Sequence, residues 1–196
     1  PAGPHAAADA RAELPVVAYV DSDPRHPPDA MPGGGVEGGG VCHSVFELEA
    51  NIVSSVELLT PTTVRVYPAD FEITTRLKIT IYAPHGALDD LRAHEEGHRT
   101  IAEHYYRSAE SAARNAAASV ERRPFEADGI DRAAAERAVA ELVLAALKEA
   151  FMQRTHARSA AANARYDAIT KHGLDRVGAA GGLRRADGQG PPNSLC

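Results

Sequence analysis

From Leu91 to Arg114 the chain reads as a helix with two unlike sides, and that split constrains everything around it. At 100° per residue, Leu91, His94, His98, Ile101, Ala102 and Tyr105 fall on one side, and Arg92, Glu96, Arg99, Glu103, Arg107, Glu110 and Arg114 on the other. The charged side is a ladder of opposite charges three or four residues apart: Arg92–Glu96, Arg99–Glu103, Glu103–Arg107 and Glu110–Arg114. Each such pair supports a solvated helix by roughly 0.2–0.5 kcal/mol. His94 and His98 therefore belong to the apolar side. Their spacing stacks the two imidazoles one turn apart, where both can reach one metal ion. Burying two rings is costly unless something satisfies their nitrogens. His94-Glu95-Glu96-Gly97-His98 spells H-E-x-x-H, in which the histidines hold zinc and the glutamate serves a water as general base.

A catalytic zinc site needs a third protein ligand. His104 stands where the metzincin pattern has its third histidine, but that pattern turns the chain at a glycine, and Ile101 occupies the place here. On a continuous helix His104 points about 80° away from His94. Glu103 lies on the solvated side. A second helix is the better source, and a simple antiparallel hairpin would set positions 153–157 beside the motif, making His156 plausible. His172 lies further on and needs a kink or reversal to return.

The rest of the chain organises around that helix. Residues 1–40 are rich in Pro, Gly, Ala and Asp and read as a flexible lead, with Val16-Val17-Ala18-Tyr19-Val20 as a short strand that docks. Over 41–83 the pattern is β: Phe46, Leu48, Ala50 and Ile52 alternate with polar residues, Thr63 to Tyr67 follows a turn at Pro61, and Leu77, Ile79 and Ile81 alternate again. The active-site helix is expected over 87–120 and the second helix over 131–172, with Asp131 as N-cap and Gly173 as the stop. Residues 174–196 read as a flexible tail. The expected fold class is α+β: a small N-terminal sheet on a long antiparallel helical hairpin, with 41–173 as one domain.

Of 196 residues, 44% are hydrophobic but only 5% aromatic, and much of the apolar content is alanine, which suits helices packed closely. A net charge of -6 argues against nucleic acid as a main partner. No run approaches the ~18–20 apolar residues of a membrane span. Cys42 and Cys196 are too few and too distant for a cysteine-based zinc site; they either form one disulfide or stay as thiols. A start at Pro1, without Met, is what a processed chain with its export signal removed would show.

The stretch Leu91-Arg92-Ala93-His94-Glu95-Glu96-Gly97-His98-Arg99-Thr100-Ile101-Ala102 resembles the active helix of a bacterial family of predicted secreted zinc-dependent proteases. That family carries a later Y-D-x-x-T-x-H-G stretch, and this chain has Tyr166-Asp167-Ala168-Ile169-Thr170-Lys171-His172-Gly173. The resemblance covers roughly residues 75–173. It implies a zincin-like fold, a bound zinc ion, a secreted or periplasmic location and a peptide or protein substrate. It also implies that Tyr166, Asp167 and His172 lie near the site: His172 as third ligand, Asp167 orienting a ligand histidine, Tyr166 steadying an oxyanion.

Metal-assisted peptide hydrolysis follows as the leading expectation, with His94, His98 and His172 holding zinc and Glu95 as general base. The strand Arg76 to Tyr82 would pair with an extended peptide. The rivals are a non-catalytic zinc-binding member of the family and an interaction module built on the helical hairpin.

Overall fold

In the computed structural model, which describes residues 8–23, 31 and 39–171, the alternating stretch after residue 40 forms two long strands instead of several short ones. These are β3 (Val41–Thr60) and β4 (Thr63–Pro84), joined through Pro61 and Thr62. So short a connection makes the pair antiparallel. Three further strands also pair with β4: β1 (Asp9–Ala12), β2 (Val16–Ser22) and β5 (Phe125–Asp128). The described residues also form four helices: α1 (Asp89–Tyr106), α2 (Ala109–Val120), α3 (Arg132–Arg154) and α4 (His156–Thr170). The fold class is α+β. No helix among the described residues is long and apolar enough to cross a membrane.

The chain divides into two compact units. The first comprises Pro1–Glu13, Glu47–Arg76 and Ser108–Thr155. Here β1 runs parallel to β4 from Asp9↔Glu72 to Ala12↔Thr75, and β5 runs antiparallel along Thr63–Val66. Helix α2 buries Ala109, Ala112, Ala113, Ala116, Ala117 and Val120, a face of small side chains that lets α3 come close. Helix α3 buries a stripe at every fourth residue from Ala135 to Phe151. Val64, Val66, Ala135, Val139 and Val143 form the core between strand and helix. The carboxylate of Asp131 accepts from the Ala134 N–H at 2.8 Å, the expected N-cap, which stabilises such a helix by about 1 kcal/mol.

The second unit comprises Leu14–Phe46, Leu77–Arg107 and His156–Cys196. Strand β2 runs parallel to β4 from Val16↔Lys78 to Ser22↔Pro84, and α1 packs on α4. Ile101, Ala162 and Tyr166 form its core with Tyr105.

Several expectations need correcting. Within the expected flexible lead, Asp9–Ala12 is a strand, because it finds a partner some sixty residues away on β4, while the short docking strand expected at Val16–Val20 is present as Val16–Ser22. Composition carries no trace of the β1 pairing. The expected helix over 87–120 is two helices, interrupted at Arg107–Ser108, where Ser108 adopts φ -96° and ψ 10°. The expected helix over 131–172 is also two, broken at buried Thr155. The Thr155 hydroxyl donates to the Phe151 carbonyl at 2.9 Å, a back-bond that bends helices. Helix α4 ends at Thr170, and Lys171 takes a left-handed φ of 49°. Gly173 and the tail 174–196 lie outside the described residues.

Candidate metal centre

Helix α1 presents His94, Glu95 and His98 inward, all buried. Helix α4 meets them with a polar stripe: Asn163, Tyr166, Asp167 and Thr170 recur at i, i+3, i+4 and i+7, which is one face of a helix. Contacts between the two helices run in opposite order. Thr170 meets His94, Asn163 meets His98, Ala162 packs with Ile101, and Arg158 lies over Tyr105. Helices α1 and α4 are therefore antiparallel. Residues 163–170, not 153–157, lie beside the motif, because counting from the hairpin turn supposes two unbroken helices.

Three donor atoms converge. His94 Nε2 and His98 Nε2 are 3.1 Å apart, and Asp167 Oδ1 stands 3.2 Å from the first and 3.0 Å from the second. Zn–N and Zn–O bonds of about 2.0–2.2 Å place tetrahedral ligand atoms roughly 3.3–3.5 Å apart, so the triangle fits an ion within a few tenths of an ångström. His94, His98 and Asp167 can hold a metal ion together. Among the described residues the donors are three, the number that a catalytic zinc site combines with a water or substrate.

Hydrogen bonds aim both rings. His98 Nδ1 donates to Asn163 Oδ1 at 2.8 Å, which leaves its Nε2 lone pair facing Asp167. His94 Nδ1 meets Thr170 Oγ1 at 3.3 Å. The Thr170 hydroxyl donates to the Tyr166 carbonyl at 2.8 Å, so it accepts from His94. Both Nε2 lone pairs and a carboxylate oxygen thus face one point, an arrangement that repels itself unless a cation or proton lies between. The electrostatics agree. Burial pushes the Asp167 carboxyl up, but both histidines outweigh it and hold Asp167 well below the usual carboxylate range. Burial pushes His98 down, yet Asp167 and Asn163 raise it overall.

Glu95 sits beside this triangle, 3% exposed. Burial raises its carboxyl, while His98, His94 and the Cys42 N–H, which donates to it, pull the other way. On the opposite side of α1, Glu96 accepts from Tyr19 Oη at 2.7 Å and pairs with Arg99, which also reaches Glu103. Arg114 pairs with Glu110.

No family model, curated protein or solved structure matches the chain.

Of the histidines expected as third ligand, His104 meets the Tyr105 ring edge-on at 5.2 Å and is not part of the donor triangle. His156 is exposed and lies edge-on to Phe46 at 6.0 Å. His172 lies outside the described residues. Asp167, expected to orient a ligand histidine, has its own oxygen at the third corner of the group that could hold a metal ion. Tyr166, expected to steady an oxyanion, is 1% exposed and stacks on His94 with ring centroids 5.2 Å apart. Its hydroxyl lies against Gly97: a Cβ there would come within 2.2 Å of it. The strand Arg76 to Tyr82 is not a free edge either, since β2 pairs along Lys78–Pro84 and β3 pairs with β4 as well. Asn163 is a ring-orienting group that the motifs do not single out, and Thr170 is a fixed position of the Y-D-x-x-T-x-H-G stretch for which the resemblance implies no role; the helical spacing of both with Asp167 in an alanine-rich segment is a visible signal.

Proposed function

We propose that this chain is a zinc-dependent hydrolase of peptide bonds, with His94, His98 and Asp167 as metal ligands and Glu95 as general base. The observation that carries the reading is the triangle of donor atoms at 3.0–3.2 Å with Glu95 buried beside it. The same two-histidine, one-carboxylate set also suits ferrous iron. A buried glutamate next to the first histidine favours hydrolysis over oxygen chemistry. A zinc ion at the triangle supplies Lewis acidity, polarising the scissile carbonyl and acidifying a water to a pKa of about 7.

The chain's own residues do the rest. Asn163 and Thr170 fix the ring tautomers, and the carboxylate of Asp167 balances the charge. Glu95 takes the proton of the attacking water and returns it to the leaving amine; a carboxyl raised by burial is better matched to that exchange near neutral pH. The Asp167 side chain is 30% exposed, so solvent reaches the centre from that side. A peptide substrate is supported by β3, which among the described strands pairs with β4 alone. Its first residues run past Glu95, and its other edge can accept an extended chain as an added strand. The resemblance to predicted secreted zinc proteases, the zincin-like fold and an exported location belong to this same proposal.

The near-complete burial of Glu95 favours one rival, a metal centre without turnover. The test is metal content and peptide hydrolysis in the wild type and Glu95→Gln. The proposal expects about one zinc in both proteins and hydrolysis in the wild type alone. Zinc in both with hydrolysis in neither leaves the non-catalytic reading; no stoichiometric metal sinks both.

A further inference from the structure

Gly40, just before β3, lies against Glu95. A Cβ built on Gly40 would stand 2.8 Å from both Cγ and Oε1 of Glu95 and 3.1 Å from its Cδ. Real Cβ atoms do not approach so closely, so the Glu95 carboxylate fills the space that a side chain at position 40 would need. Two residues on, the Cys42 N–H donates to the same carboxylate. The backbone gives no other reason for glycine, since the only described glycine with positive φ is Gly86. The neighbour that would have to move is the far end of a flexible side chain. At Gly97 and Gly129, by contrast, an added Cβ meets the Tyr166 ring and helix backbone.

We propose that Gly40 is a positioning residue for Glu95: its missing side chain and the Cys42 N–H together set where the carboxylate sits. As a statement about catalysis this rests on the proposed role of Glu95 as general base. Its structural half stands without that reading.

The experiment is Gly40→Ala in the full chain, beside wild type and Glu95→Gln. Metal content, thermal unfolding, kcat and KM are measured, together with hydrogen exchange at the Cys42 amide. We expect Gly40→Ala to keep its metal and lose kcat about tenfold or more with KM little changed, as displaced general bases do. Cys42 amide exchange should quicken in Gly40→Ala, because the carboxylate that accepts from it has moved. Unchanged kcat with unchanged Cys42 exchange overturns the proposal. If the wild type binds metal but hydrolyses nothing, the functional reading fails alone, and Cys42 exchange decides the positioning: faster in Gly40→Ala supports it, unchanged refutes it. If Gly40→Ala does not fold, Glu95→Ala is added to it. The double variant should regain its fold if the clash is with Glu95, and an equally unfolded double variant refutes the assignment.

Discussion

Asn163 Oδ1 lies 2.8 Å from His98 Nδ1, and this contact decides which nitrogen of the ring faces Asp167. An amide oxygen only accepts, so Nδ1 carries the proton and Nε2 keeps its lone pair. Thr170 does the same for His94 through a hydroxyl already committed to the Tyr166 carbonyl. Partners of this kind typically contribute 10–100-fold to metal affinity. Asn163→Leu and Thr170→Val should therefore each weaken zinc binding by about 10–100-fold while the helices stay intact. Competition against a chromogenic chelator measures this. Wild-type affinity in both variants would mean that the rings are aimed by packing alone.

Asp167 and His172 make opposite predictions. Asp167 Oδ1 closes the donor triangle, and replacing it with an amide removes the charge while keeping the shape. Asp167→Asn should lose stoichiometric metal, and His172→Ala should keep it. Metal analysis of the two purified variants decides the third ligand. Metal kept by Asp167→Asn and lost from His172→Ala would restore the histidine.

Gly97 is the space for Tyr166. A Cβ at this position would lie 2.2 Å from the tyrosine hydroxyl, 2.4 Å from Cζ and 2.7 Å from Cε1. These atoms belong to a rigid ring packed between α1 and α4, so they cannot yield cheaply. Overpacking of this sort costs about 1–3 kcal/mol. Gly97→Ala should lower the denaturation midpoint accordingly. Because the ring carbons clash as well as the hydroxyl, Tyr166→Phe should not restore stability to Gly97→Ala, whereas Tyr166→Leu should do so in part. Recovery with Phe would put the whole conflict on the hydroxyl.

The parts of this picture that are legible in the sequence are those set by local period. The inward side of α1 follows from 3.6-residue spacing, and the α3 N-cap from Asp131 at a helix start. What stays hidden depends on distant partners or on single side chains. β1 becomes a strand only because β4 accepts it, whereas the apolar run Val16–Val20 announces β2. In β4 itself the buried positions shift from Val64, Val66 and Pro68 to Phe71, Ile73 and Thr75, a one-residue change of phase that no simple alternation foretells. The break at Thr155 has no glycine or proline to mark it. The third donor is hard to read because the same stretch offers both Asp167 and His172, and the family pattern draws attention to the histidine, while only the helical spacing of Asp167 from Asn163 and Thr170 places the aspartate on the inward face.

Cys42 offers a last test, in the strand residue that touches Glu95. Burial above all, then the negative charges of Glu95 and Glu96, push its thiol up to about 12. The thiolate is the reactive form, so the folded protein should protect Cys42 from iodoacetamide at pH 8, while denatured chain reacts there readily. Peptide mapping after alkylation reads this directly, and fast labelling of the native thiol would contradict the burial. The same shift fixes a sign for stability. The folded-state pKa lies above the unfolded value near 9.0, so below pH 9 both states keep the proton and the thiol adds no pH dependence. Between pH 9 and 12 the unfolded chain ionises first, it binds fewer protons, and stability falls as pH rises. Against the wild type, Cys42→Ala should show a shallower loss of stability across that alkaline window and the same slope below it.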